Sequence, residues 1–261
     1  MSTMYKELNI KKVKNGILFD EQDFVVKEYP LTILINGKEF ITLLASPNHL
    51  KYLAIGFLKS EGLIRDKGDI NNIKIRQKEG IVKLEIRESL LTEKLHGKRM
   101  RTTGCGRGTV FYSVLDSLRT KKVSTDVKVT ADFVNDMMKE LNKRSQTFLK
   151  TGGVHSCMLC DHKEVILFHE DIGRHNAIDK IIGEALIKDI PLNSKIVFTS
   201  GRVSSEILLK SAKSQIPMIV SRSAPTDLAV AMAKKLGITL VGFVRGRKMN
   251  VYTNFENIII A

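Results

Sequence analysis

The stretch KIVFTSGRVSSEILLKSAKSQIPMIVSRSAPTDLAVAMAKKLGITLVGFVRGRK, residues 195–248, decides the fold. Val/Ile-rich runs at 195–200, 217–223 and 238–246 alternate with apolar-periodic stretches at 203–215 and 225–237. That order predicts strand, helix, strand, helix, strand. It is the pattern of an α/β sheet covered by helices on both faces. Working upstream, VHSCMLCD (154–161) and EVILFHED (164–171) read as strands, and GRHNAIDKIIGEALI (173–187) as a helix. TADFVNDMMKELNKRSQTFLKTGG (130–153) reads as one amphipathic helix, opened by Thr130 and closed by Gly152-Gly153. Downstream, NVYTN (250–254) supplies a short closing strand.

The first third is organised differently. Residues 24–45 predict two strands around an Asn36-Gly37 turn, and 71–88 a second hairpin turning at Glu79-Gly80. Between them, SPNHLKYLAIGFLKSEG (46–62) predicts a helix with Ser46 as cap, Pro47 at the first helical position and Gly62 past the end. The polar stretch TEKLHGKRMR (92–101) is the best boundary. It divides an N-terminal α+β region, 1–100, from an α/β domain, 101–261.

Composition narrows the classes. With 43% hydrophobic and 27% charged residues, the 261-residue chain is ordinary for a soluble globular protein. No apolar run approaches the roughly 18 residues of a membrane helix, and MSTMYKELNIKKVKNG lacks a secretory signal, so a cytoplasmic protein without membrane partners is expected. The net charge of +14 calls for an anionic partner. Lysines spread along the chain, no tryptophan and 6% aromatics argue against nucleic acid.

Four consecutive strand ends deliver arginines: Arg174, Arg202, Arg222, and Arg245 with Arg247. Ligands of open α/β sheets bind outside the carboxyl ends of strands, and arginine grips phosphate oxygens in pairs. A phosphate-bearing ligand is the favoured reading over solvated surface charge. Cys157 and Cys160 have zinc-like spacing, but a strand would point them to opposite faces, which favours buried core thiols and no metal. His169, Glu170, Asp171, Arg174 and His175 crowd one turn and could do acid–base work, although Asp171 reads more simply as a helix cap. Cys105, in RTTGCGRGT (101–109), has arginines on either side and precedes helix-like TVFYSVLDSL, both of which favour thiolate. Spacing alone leaves a reactive thiol and a small turn residue evenly matched.

The blocks EDIGRHNAIDKIIG, TSGRVSSEILLKSA, IPMIVSRSAPTDLAVAMAKKLGITLVGFVRG and NVYT resemble the FdhD family of sulfur-carrier proteins needed for formate dehydrogenase activity. LAIGFLKSEGLI, TTGCG and TGGVHS fit in the family's order, so the resemblance covers most of the chain beyond about residue 25. It implies a cytidine-deaminase-like three-layer sheet without catalytic zinc, and a homodimer. It implies a sulfurtransferase that takes sulfur from a cysteine desulfurase as a persulfide on Cys105. The sulfur then passes to the molybdenum cofactor, in its bis-guanine-dinucleotide form, before insertion into formate dehydrogenase. Phe243, Val244, Arg245, Gly246, Arg247 and Lys248 fall in the family's cofactor-binding stretch; Arg174, His175, Gly201, Arg202 and Arg222 are further candidates from the strand ends. Many relatives carry Cys-Gly-x-Cys at the cysteine loop, where this chain has Gly108. The alternative is a non-covalent binder or chaperone of a guanine-nucleotide cofactor.

Overall fold

The computed structural model describes residues 3–87, 120–123 and 127–260. The chain opens on a two-stranded ribbon of β1 (Tyr5–Lys14) and β2 (Ile17–Val26), and Phe24–Val26, expected in the first hairpin, belong to this ribbon. Asn15 and Gly16 turn it, both at positive φ, and the pairing runs in register from Tyr5↔Val26 to Lys14↔Ile17. Next come β3 (Tyr29–Ile35) and β4 (Lys38–Ala45), joined at Asn36-Gly37 as expected, then helix α1 (Leu50–Ser60). A hairpin of β5 (Ile70–Arg76) and β6 (Ile81–Ile86) turns at Gly80. The four strands form a sheet in the order β4-β3-β6-β5, with β3 and β6 parallel. Leu31, Ile33 and Ile35 alternate along β3 onto the face that α1 covers with Leu50, Leu53, Ala54 and Phe57.

Two expectations here are corrected. Helix α1 begins at Leu50 behind His49, whose φ of 53° breaks the chain direction, so neither Ser46 nor Pro47 opens it. Ser46 is buried and spent elsewhere: its N–H donates to Asp171 Oδ2 (3.1 Å) and its Oγ accepts from the Ile172 N–H (3.2 Å).

The remaining chain builds the larger layer. After β7 (Val129–Thr130) come α2 (Ala131–Arg144), α3 (Gln146–Thr151), β8 (His155–Cys160) and β9 (Val165–Asp171). Then α4 (Arg174–Ile187), β10 (Ile196–Thr199), α5 (Ser205–Lys213), β11 (Met218–Ser221) and α6 (Asp227–Leu236) alternate. The chain ends with β12 (Thr239–Arg245), β13 (Lys248–Val251) and β14 (Ile258–Ile259), the last paired with β7. Thr130 Oγ1 accepts from the Phe133 N–H, a cap worth about 1 kcal/mol. The single helix expected over 130–152 is instead two. Ser145 leaves helical geometry, and its Oγ bonds the Leu141 carbonyl and Ser156 Oγ.

Six strands lie in the order β13-β12-β11-β10-β8-β9, with β10, β11 and β12 parallel and the outer pairs antiparallel. Side-chain alternation feeds two cores. Val197, Ile219 and Leu240 pack under α4, α5 and α6, while Ile196, Phe198, Met218 and Val220 pack under α2. This is the α/β sheet with both faces covered that residues 195–248 predict.

Helix α1 docks the smaller sheet on α4. The axes approach so closely that a Cβ built on Gly183 would stand 1.9 Å from the Tyr52 carbonyl oxygen, and one on Gly56 1.7 Å from that of Asp179. Beside this crossing Asp179 is buried, paired with Lys210 Nζ (2.8 Å) and accepting from Ser60 Oγ (2.6 Å). The two parts share a buried, charged seam. The boundary expected at 92–101 lies outside the described residues.

Candidate functional site

Because β10, β11 and β12 are parallel, their carboxyl ends share one sheet edge, and β8, running the other way, begins there. A cleft of about 490 Å³ opens at this edge. Its lining is Ser200 after β10, Arg222 and Ser223 after β11, Arg245 ending β12, His155 opening β8, and Phe148, Gly152, Gly153 and Val154 from α3 and its exit. Arg245 Nε donates to the Arg222 carbonyl (3.2 Å), and Arg222 Nη1 to Asn142 Oδ1 (3.3 Å), so both guanidiniums are steered by neighbours. Of the five strand-end arginines, Arg222 and Arg245 line this cleft, whereas Arg174, Arg202 and Arg247 do not.

Behind the cleft lie the other candidates. A Cβ on Gly201 would meet Arg174 Cβ at 2.9 Å and His155 Nδ1 at 3.3 Å, so only glycine lets these three close up. Burial, then the neighbouring basic groups Arg174 and His175, holds His155 below the ordinary histidine range, with Arg202 adding to the effect. Ser200 Oγ accepts from the Ser156 N–H (2.9 Å), which leaves its own proton for His155 Nδ1 at 3.5 Å. His175 turns to Glu206 (3.1 Å) and lowers that carboxyl by a direct hydrogen bond.

The stretch 243–248 divides. Phe243 sits at a bulge with φ of 53°, a strained setting for a bulky residue, half-exposed beneath the Arg245 guanidinium. The Val244 side chain is buried in the core under α2. Gly246 and Arg247 form the exposed turn into β13, which the exposed Lys248 opens.

The His169-Glu170-Asp171 triplet is bolted into the structure, each member holding a different element. His169 Nε2 contacts Glu184 Oε2 (2.6 Å) in the interior. Glu170 accepts from the N–H groups of Thr147 and Phe148 (both 3.0 Å), fixing α3 and with it one wall of the cleft. Asp171 is wholly buried and pairs with Lys180 Nζ (2.7 Å), while Oδ1 accepts from Gly173 N–H and Asn176 Nδ2. It is a hub joining β9, α4 and the Ser46 loop; the residue before α4 is Gly173, without a side-chain cap.

Cys157 and Cys160 are fully buried on opposite faces of β8, one in each core, as their spacing on a strand predicts. They cannot share an ion, and burial raises both thiols, Cys160 to about 12. Cys105, with Arg101, Arg107 and Gly108, lies outside the described residues. Sequence reasoning passed over Ser200, Ser223 and Phe148 as cleft residues. The signal for Ser200 and Ser223 was their place beside the strand-end arginines; Phe148 had none.

The fold and cleft define an α/β protein whose larger sheet is covered by helices on both faces, with a basic cleft at the carboxyl edge of that sheet. Residues 26–259 match the model of the FdhD/NarQ family, and the chain belongs to that family. It is 44% identical over 255 residues to the sulfur carrier protein FdhD of Bacillus pumilus, covering 97% of both chains. The sulfur carrier protein FdhD of Bacillus subtilis is 40% identical over 251 residues, 96% of each. A crystal structure of a putative formate dehydrogenase accessory protein from Desulfotalea psychrophila superposes with a TM-score of 0.82 at 25% identity, covering 98% of this chain and all of that one. Among the described residues no helix is long and apolar enough to cross a membrane.

Proposed function

We propose that this protein is a sulfur carrier for formate dehydrogenase, a sulfurtransferase that holds sulfur as a persulfide on Cys105. Its donor is a cysteine desulfurase. Its acceptor is the molybdenum cofactor in the bis-guanine-dinucleotide form, seated in the strand-end cleft before transfer to formate dehydrogenase. A second copy of the chain completes the functional unit, a cytidine-deaminase-like fold frames it, and the cytoplasm is its compartment. The observation that carries the reading is the fate of the three cysteines in a family whose curated members are named sulfur carriers. Two are sealed in the cores with thiols pushed far from ionisation, which leaves Cys105 for chemistry that needs a thiolate. The cofactor assignment is supported by Arg222 and Arg245 in a cleft of about 490 Å³, since a dinucleotide carries pyrophosphates that arginine pairs can hold.

The chemistry asked of this chain is modest: bind an anionic cargo, orient it, and present a sulfur-loaded thiolate. The test is rescue of formate dehydrogenase activity in cells lacking the endogenous carrier. Cys105→Ser should fold with unchanged unfolding midpoint and fail to rescue; full rescue overturns the carrier reading and favours a cofactor-binding chaperone.

A further inference from the structure

We propose that the cleft takes up a proton with its anionic ligand, and that His155 is the residue that receives it. The inference rests on the reading that a pyrophosphate-bearing ligand occupies this cleft. His155 opens β8 and lines the cleft on the side opposite Arg222 and Arg245 in the sheet order, beside Ser200. Three neighbouring elements present charge to it, while α3 and its exit present only Phe148, Gly152, Gly153 and Val154. Arg174 and His175 come from α4, Arg202 from the loop after β10, and Asp171 from β9, its cross-strand partner. Three of these four are basic groups; His175 is paired with Glu206 and Asp171 with Lys180, which leaves the two arginines as the dominant charges.

In the free cleft, that surplus of positive charge and partial burial make an imidazolium costly, so the ring stays neutral. Its Nδ1 faces the Ser200 hydroxyl, which leaves the Nε2 edge to carry the remaining proton. Seating an anion between His155 and the two arginines reverses the local field. The charged imidazole then gains a partner and the proton binds. His155 is thus the adjustable member of the site, whereas Arg222 and Arg245 stay charged throughout. Binding and protonation are linked, so affinity rises as pH falls, by up to about tenfold for each pH unit while one proton is taken up.

The probe is diguanosine pyrophosphate, two guanosines joined by a pyrophosphate bridge whose phosphates do not titrate near neutrality. Isothermal titration in buffers of differing ionisation enthalpy counts the protons bound with it. The full chain should take up a substantial fraction of one proton between pH 6 and 8 by the ordinary histidine range, and His155→Gln should bind with no such uptake and a flat pH profile. NMR titration of the His155 ring in the unsubstituted chain should show its pKa rising when the probe is added. Binding without proton uptake, or uptake that persists in His155→Gln, overturns this inference and leaves the cleft reading intact. No binding at any pH overturns both.

Discussion

The glycine crossing between α1 and α4 supports a quantitative prediction. Replacing Gly183 by Ala places a methyl 1.9 Å from the Tyr52 carbonyl oxygen and 2.7 Å from the Gly56 nitrogen. Both obstacles are backbone, so no rotamer change relieves them. Restoring an ordinary contact of about 3.4 Å requires α1 to retreat by about 1.5 Å. A shift of that size stretches the 2.6 Å bond from Ser60 Oγ to Asp179 beyond hydrogen-bonding range and opens the 3.5 Å approach of Lys210 to Glu61. Overpacking costs about 1–3 kcal/mol, and a lost bond to a buried charge about 1.5–3 kcal/mol. The sum, about 2.5–6 kcal/mol, is a large share of a typical domain's roughly 5–15 kcal/mol. Urea unfolding followed by far-UV circular dichroism measures it. Gly16→Ala is the comparison: its methyl meets nothing within 4 Å, so only the φ of 79° opposes it, at about 1–2 kcal/mol, less than the crossing. A Gly183→Ala protein within about 1 kcal/mol of the parent would refute the claim that the two sheets are locked through this crossing.

Three further outcomes are expected. A thiol reagent at neutral pH should modify one cysteine per native chain and three after denaturation, because Cys157 and Cys160 are buried with raised pKa values; native labelling of either contradicts the core placement. Arg245→Ala should weaken diguanosine pyrophosphate binding by about tenfold to a hundredfold, the worth of a charge-assisted contact, and an unchanged dissociation constant removes the phosphate from this cleft. Stability should fall on acidification below about pH 6.5. Burial holds His169 below that value in the folded state despite its bond to Glu184, so the unfolded chain binds the extra proton, at up to about 1.4 kcal/mol per pH unit. His169→Gln should lessen the loss, the remainder coming from His49 and His155, which burial also holds below that value.

Much of the larger sheet was legible because its strands are buried on both sides and separated by amphipathic helices, so type and order show in the residues alone. The two hairpins at Asn36-Gly37 and Gly80 were legible for a different reason, the demand of tight turns for positive φ. What stayed hidden depends on tertiary partners. The ribbon Tyr5–Val26 exposes Val13, Ile17 and Leu18 and shows no clean buried face, so periodicity gave no signal. Ser46 looks like a cap until Asp171, 125 residues away, claims it. Likewise, His169-Glu170-Asp171 reads as reactive until each member is seen to hold a different element. The arginines of the cleft were visible because strand ends must gather at one edge; Phe148 was not, since Glu170 places it there through backbone bonds.

The central claim is that Cys105 carries sulfur, and the direct measurement is mass analysis of the peptide that contains it. After incubation with a cysteine desulfurase and cysteine, without reductant, that peptide should gain the mass of one sulfur atom, lost again on treatment with a thiol. The Cys157–Cys160 peptide should remain unmodified. An unmodified Cys105 peptide alongside a demonstrably active desulfurase, or sulfur found on the buried pair instead, would contradict the account.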